Sequence, residues 1–96
     1  MIYVNVILTV KKKADVAKVK ELLTQQAALS RAEPGCARFE VYQSESDDKL
    51  FILIERWENQ EDLDRHRKAK AFVEIYEPKV LPLVERIPHP SGLVSG

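Results

Sequence analysis

Apolar side chains fall at every second position from Ile2 to Val10: Ile2, Val4, Val6, Leu8 and Val10 share one parity, while Tyr3, Asn5, Ile7 and Thr9 share the other. A period of two is the mark of a strand, here with one dry face and one amphipathic face. Beyond the basic turn Lys11–Lys13 the spacing changes to three and four residues, through Val16, Val19, Leu22, Leu23 and Gln26, with Asp15 placed to cap the start. The spacing predicts a helix over about 14–32. Pro34-Gly35 ends it, because proline disfavours helical geometry at Glu33 and glycine permits a sharp exit.

Alternation returns over 37–44, with Ala37, Phe39 and Val41 on one face and Arg38, Glu40 and Tyr42 on the other, and the polar run Ser44–Asp48 then reads as a hairpin loop. Leu50–Ile54 is continuously apolar and runs on into Glu55-Arg56-Trp57, the pattern of a central strand covered on both faces. Asn59 suits the N-cap of a second helix, with Glu61 and Asp62 in the first turn, where the helix dipole favours anions. Phe72, Ile75, Tyr76 and Val80 keep helical spacing, but Pro78 and Pro82 interrupt the ladder and predict a kink or two short turns. Pro88 and Pro90 then allow a brief edge strand near 84–88 and a loose or partner-bound tail over 86–96.

The order strand, helix, strand, strand, helix, strand specifies an α+β fold, a ferredoxin-like antiparallel sheet with helices on one face. One domain accounts for residues 1–96, with its core over about 2–85. Since the first and third strands carry aliphatic residues that the helices cannot all cover, the other sheet face needs a partner. A two-fold homodimer, sheet on sheet, supplies it.

Composition trims the range of functions. Fifteen Lys and Arg balance fifteen Asp and Glu for a formal net charge of zero, so the chain lacks the positive field that nucleic-acid or anionic-membrane binding requires. No apolar stretch approaches the ~20 residues of a membrane span, and the N-terminus lacks signal-peptide order, so a cytoplasmic location is expected. Cys36 is the only cysteine, too few for a disulfide or a Cys-based metal site. A glycine-rich phosphate loop, a dinucleotide fingerprint and a His-x-x-x-His pair are all missing, which points to chemistry without a cofactor or metal.

Glu33-Pro34-Gly35-Cys36, then Phe39 and Tyr42, Glu55-Arg56-Trp57, Leu63, His66 and Phe72 together resemble the antibiotic biosynthesis monooxygenase domain family over roughly residues 2–85. The resemblance implies a dimeric α+β barrel and a group that includes quinol monooxygenases, haem-degrading enzymes and an isomerase of a phosphorylated quorum signal. Haem-degrading relatives carry an asparagine on the first strand, a tryptophan on the second helix and a histidine ligand farther on. Here Asn5 matches, but His66 and Tyr76 stand at the other two positions, so no imidazole is left for haem iron. Ala71 replaces a histidine that the isomerase carries, which weakens that reading.

The leading expectation is therefore a cofactor-independent monooxygenase that uses molecular oxygen on a quinol or other electron-rich aromatic. His66, three residues after Leu63, would serve as base, its ordinary pKa near 6.5 suiting proton abstraction from a phenol. Asn5 would hold the developing oxygen anion, and Trp57, Phe72 and Tyr76 would line the substrate pocket. Glu55, embedded in an apolar strand, must be paired or have its pKa raised. An ion pair with an arginine across the dimer, for which Arg38 and Arg56 are the candidates, is the favoured account and a general base the other. The alternatives are a non-catalytic small-molecule-binding dimer and the isomerase, which needs Arg65, Arg67 or Lys70 turned inward.

Overall fold

The alternation in the first and third apolar runs builds the centre of the molecule. In the computed structural model, which describes residues 1–96, the strands are β1 (Ile2–Val10), β2 (Cys36–Gln43), β3 (Leu50–Trp57) and β4 (Val84–Ser91). They form one antiparallel sheet in the order β2-β3-β1-β4. Helices α1 (Val16–Arg31), α2 (Gln60–His66) and α3 (Ala71–Val80) pack on one face, giving the expected ferredoxin-like arrangement. The register pairs Val4 with Glu55, Val6 with Leu53 and Leu8 with Phe51, so the even residues of β1 and the odd residues of β3 point together under the helices. Val6, Leu8, Leu53, Phe51 and Trp57 are buried there against Val19, Leu23 and Val80.

The opposite face is open in the single chain. Ile7, Ile52 and Ile54 are half-buried on it, and Tyr42 and Ile87 are exposed, so the interior strand β3 is covered on one side only. No helix is long and apolar enough to cross a membrane.

Several local expectations change. Asp15 occupies the position before α1, but its side chain makes no capping bond, and a short tight turn, Lys13–Asp15, leads in instead. Asn59 does cap α2, its Oδ1 accepting the Asp62 backbone N–H at 2.9 Å. A bulge between Cys36 and Arg38 places Cys36 opposite Trp57 and leaves Ala37 exposed rather than beside Phe39. Pro78 does not break α3 in two. The helix takes wide π-type turns from Ala71 to Val80, and a tight turn, Leu81–Leu83, follows. Such wide turns leave gaps in the hydrogen-bond ladder where a proline lacks its donor.

The region expected as a loose tail is largely strand. β4 pairs with β1 from Val84 to Ser91, which brings Arg86 opposite Leu8, onto the helix-covered face. Lys11 N–H donates to the Leu83 carbonyl at 2.9 Å, and the register carries that parity down the ladder. Odd residues of β4 therefore bond to β1, and the donorless nitrogens of Pro88 and Pro90 face the free edge, where proline is tolerated.

The turn after α1 is fixed by Gly35. Its φ of +75° lies in the left-handed region, and a Cβ there would overlap the side chain of Asp62 on α2. Gly35→Ala should cost about 1–3 kcal/mol from the backbone alone, and more from the overlap. Urea unfolding of the two proteins measures the difference, and equal midpoints would show that the turn tolerates a side chain.

Candidate functional site

Strand parity delivers Glu55 and Trp57 to the covered face of the sheet, and Trp57 Nε1 donates to Glu55 Oε1 at 3.1 Å. Helix α2 is short, but its capped start sets its rotation, so that Leu63 and His66, three residues apart, both point inward. The His66 ring is buried in an aromatic cage. Its centroid lies 4.5 Å from Trp57 and 5.8 Å from both Phe39 and Phe72. On α3, Phe72 and Tyr76 are four residues apart with centroids at 5.4 Å, and the Tyr76 hydroxyl accepts from Arg86 Nε at 2.9 Å.

Two carboxyl groups flank the imidazole. Nδ1 lies 2.7 Å from Oε1 of Glu33, which hangs from the turn closing α1, and Nε2 lies 4.0 Å from Oε1 of Glu55. The first separation is a short hydrogen bond, and the second is too long to be one. Glu55, His66, Phe72, Tyr76 and Arg86 border a common cavity, along with Gln26 of α1 and Arg67 just beyond α2. As it stands the cavity is small, about 20 Å³, room for one water. Gln26 is itself buried, and no protein donor reaches its Oε1, an orphaned acceptor at the cavity wall.

Burial governs the protonation of these groups. It pushes Glu33 up to about 7. It raises Glu55 as well, against the opposing pull of the Trp57 hydrogen bond and of His66, Arg86 and Arg67. It lowers His66, although the nearby Glu55 works the other way. Tyr76 is raised by burial and partly held down by Arg86. Burial thus works against the charged form of each group, and neighbours that favour the charge oppose it at Glu55, His66 and Tyr76, while Glu33 is a carboxylate above about pH 7. Burial also raises the Cys36 thiol, in keeping with a small apolar residue rather than a nucleophile.

Four of the five expected site residues, His66, Trp57, Phe72 and Tyr76, come together. Asn5 does not join them. Its odd parity in β1 turns it to the open face, where its Oδ1 accepts from Arg56 and its Nδ2 donates to Ser91, both at 3.0 Å. The same parity corrects the expected pairing of Glu55. Arg38 and Arg56 also point to the open face, Arg38 bonded to Glu40 and Arg56 to Asn5, so the neighbours of Glu55 are Trp57 and His66. Of the basic cluster, Arg67 does reach the cavity, because α2 ends at His66 and the chain turns there; Arg65 instead binds Asp62 at 2.7 Å.

Glu33, Gln26 and Arg86 went unassigned by sequence. An amide at a core-facing helical position was the one available signal for Gln26. Arg86 was hidden by the prolines after it, which made its strand look like a tail.

The family model described as antibiotic biosynthesis monooxygenase matches residues 1–78. The chain belongs to that family. A crystal structure described as an antibiotic biosynthesis monooxygenase superposes with a TM-score of 0.90 at 21% identity, covering 99% of this chain and 100% of that one. SnoaB from Streptomyces nogalater, described as a cofactor-independent oxygenase, gives a TM-score of 0.85 at 15% identity over 99% of this chain and 94% of its own. At these identities the likeness is one of fold. The "Uncharacterized protein sll1783" of Synechocystis is 40% identical over 48 residues, 50% of this chain but only 33% of the relative's length.

The raised pKa of Glu33 has a thermodynamic consequence. Between the ordinary carboxyl value of 4.5 and about 7 the folded family member keeps a proton that the unfolded chain has released, so this group's contribution falls as pH rises across that window. His66, lowered in the fold, opposes this below 6.5 in wild type and variant alike. Relative to wild type, Glu33→Gln should therefore gain melting temperature from about pH 5 to about pH 8. Parallel melting curves would show that Glu33 titrates as an ordinary surface carboxylate.

Proposed function

We propose that this family member is a cofactor-independent monooxygenase acting on a quinol or other electron-rich aromatic, with His66 as the base. The observation that carries the reading is the buried His66 ring, held between two carboxyl groups in an aromatic cage, with Nε2 directed toward a cavity. A cavity that sets the rings of Phe72 and Tyr76 beside polar side chains suits an aromatic guest bearing hydroxyl groups, and loss of a hydroxyl proton to Nε2 makes that guest an electron donor to dioxygen. No external reductant is needed: a hydroquinone and O₂ balance to a hydroxyquinone and water. SnoaB, described as a cofactor-independent oxygenase on the same fold, supports the class of reaction.

Phe72 and Tyr76 line the guest's site in this reading, Trp57 backs the His66 ring, and the orphaned Oε1 of Gln26 accepts a hydroxyl that the guest brings. The oxygen anion falls to Arg86 and the Tyr76 hydroxyl rather than to Asn5. Admission of an aromatic ring requires the wall to move. Tyr76 sits on α3, whose wide turns and Pro78 make it the least regular of the three helices.

Oxygen uptake with a panel of quinols tests the proposal. His66→Ala should lower kcat by about 10²-fold or more, whereas Asn5→Ala should leave it near wild type. Uptake indifferent to His66 would remove it from the mechanism. The cavity's small volume favours a second reading, a non-catalytic binder of small molecules, which would show ligand-dependent melting shifts without oxygen consumption.

The open sheet face supports a homodimer. Ile7, Ile52 and Ile54 lie together there with Tyr42 and Ile87, and each Å² of apolar surface removed from water contributes ~25 cal/mol. Sedimentation at micromolar concentration should find pairs, and Ile52→Asp should yield single chains. Single chains in the wild type would end this proposal.

A further inference from the structure

We propose that Glu33 is the positioning residue of the His66 base: its carboxylate accepts the Nδ1–H proton, holds the imidazole in that tautomer, and so turns the Nε2 lone pair toward Glu55 and the cavity. This rests on the reading of His66 as base and supplies what that base needs in order to work.

A neutral imidazole carries one proton, and its two nitrogens compete for it. Nδ1 has a carboxylate oxygen at 2.7 Å and Nε2 has none closer than 4.0 Å. The proton therefore lies on Nδ1, where a charge-assisted hydrogen bond holds it. Glu55 cannot compete from the other side. Its Oε1 already accepts from Trp57 and lies beyond hydrogen-bond reach of Nε2. The remaining charged or titratable groups around the ring are Arg67 beyond α2, Tyr76 on α3 and Arg86 on β4, none of them hydrogen-bonded to it, while Asp62 on α2 is engaged by Arg65.

The backbone makes Glu33 and His66 one unit. Gly35 packs so closely on Asp62 that no side chain fits between the turn and α2, and α2 carries His66 one turn later. The Glu58 N–H donates to the Gly35 carbonyl at 2.9 Å and ties the same turn to the end of β3. The aromatic cage resists rotation of the ring. In the proton-transfer step the guest's O–H bond breaks, an Nε2–H bond forms, and the oxygen keeps the electron pair. The resulting imidazolium is then neutralised by the Glu33 carboxylate at Nδ1.

The full chain labelled with ¹⁵N-histidine tests this without any substrate. The sequence holds two histidines, and His89→Gln assigns them. Long-range ¹H–¹⁵N correlation spectra above about pH 8 should show wild-type His66 protonated at Nδ1. Glu33→Ala and Glu33→Met, which remove the acceptor, should both move the proton to Nε2. A wild-type ring protonated at Nε2, or folded variants that keep Nδ1–H, would overturn the proposal, and the wild-type spectrum decides alone if neither variant folds.

Oxygen uptake separates this proposal from the one beneath it. A fall in kcat of about tenfold or more in the Glu33 variants, with the tautomer reversed, supports both. The expected tautomers without any uptake support the positioning role and overturn the oxygenase reading. Uptake lost in His66→Ala but equal in wild type and both Glu33 variants overturns the positioning role alone.

Discussion

A carboxyl group on an apolar strand face must give up either its charge or its isolation, and Glu55 does some of both. The Trp57 indole donates to it, His66 stands 4.0 Å away, and burial raises its pKa. That one buried group accounts for much of what surrounds it. The indole that donates to it also serves as a floor for the imidazole, tilted by 32° with ring centroids 4.5 Å apart. With the floor set, α2 must present His66 downward, and Glu33 is left to meet the ring's other nitrogen. The aromatic cage is thus organised around polar atoms that have few other places to go.

The fold was legible because it rests on periodicity. The even residues of β1 announced their face, the continuous apolar run of β3 announced its interior place in the sheet, and Asn59 announced the start of α2. The site was legible only where a residue's face follows from its own element: spacing gave the faces of Trp57, His66, Phe72 and Tyr76, and the family resemblance brought those faces together. Glu33 could not, since its position depends on how a turn packs against a helix distant in sequence. Arg86 was lost because prolines are read as chain breakers, whereas an edge strand accepts them. Asn5 was misplaced for a different reason. Resemblance suggested a role, while the parity already evident in the sequence put it across the sheet from His66.

The two sides of the sheet divide the labour. The covered side combines a small cavity with carboxyl groups whose pKa burial raises, and part of its wall is the one helix with irregular turns. The open side pairs the charge of Arg38 with that of Glu40 and bonds Arg56 to the neutral amide of Asn5, among half-buried and exposed aliphatic residues. Charges already paired within a chain can be covered without leaving an unmatched partner, as a buried interface demands.

Pro88 and Pro90 bear on what this protein avoids. Unpaired main-chain donors along a sheet margin invite stray strands to add on, the first step toward ribbons and fibrils. β4 withholds two of them, and on the far margin the Arg31 guanidinium occupies the Phe39 carbonyl at 3.1 Å. Lateral growth is discouraged at both borders, which lets the molecule keep a greasy flat surface without polymerising sideways.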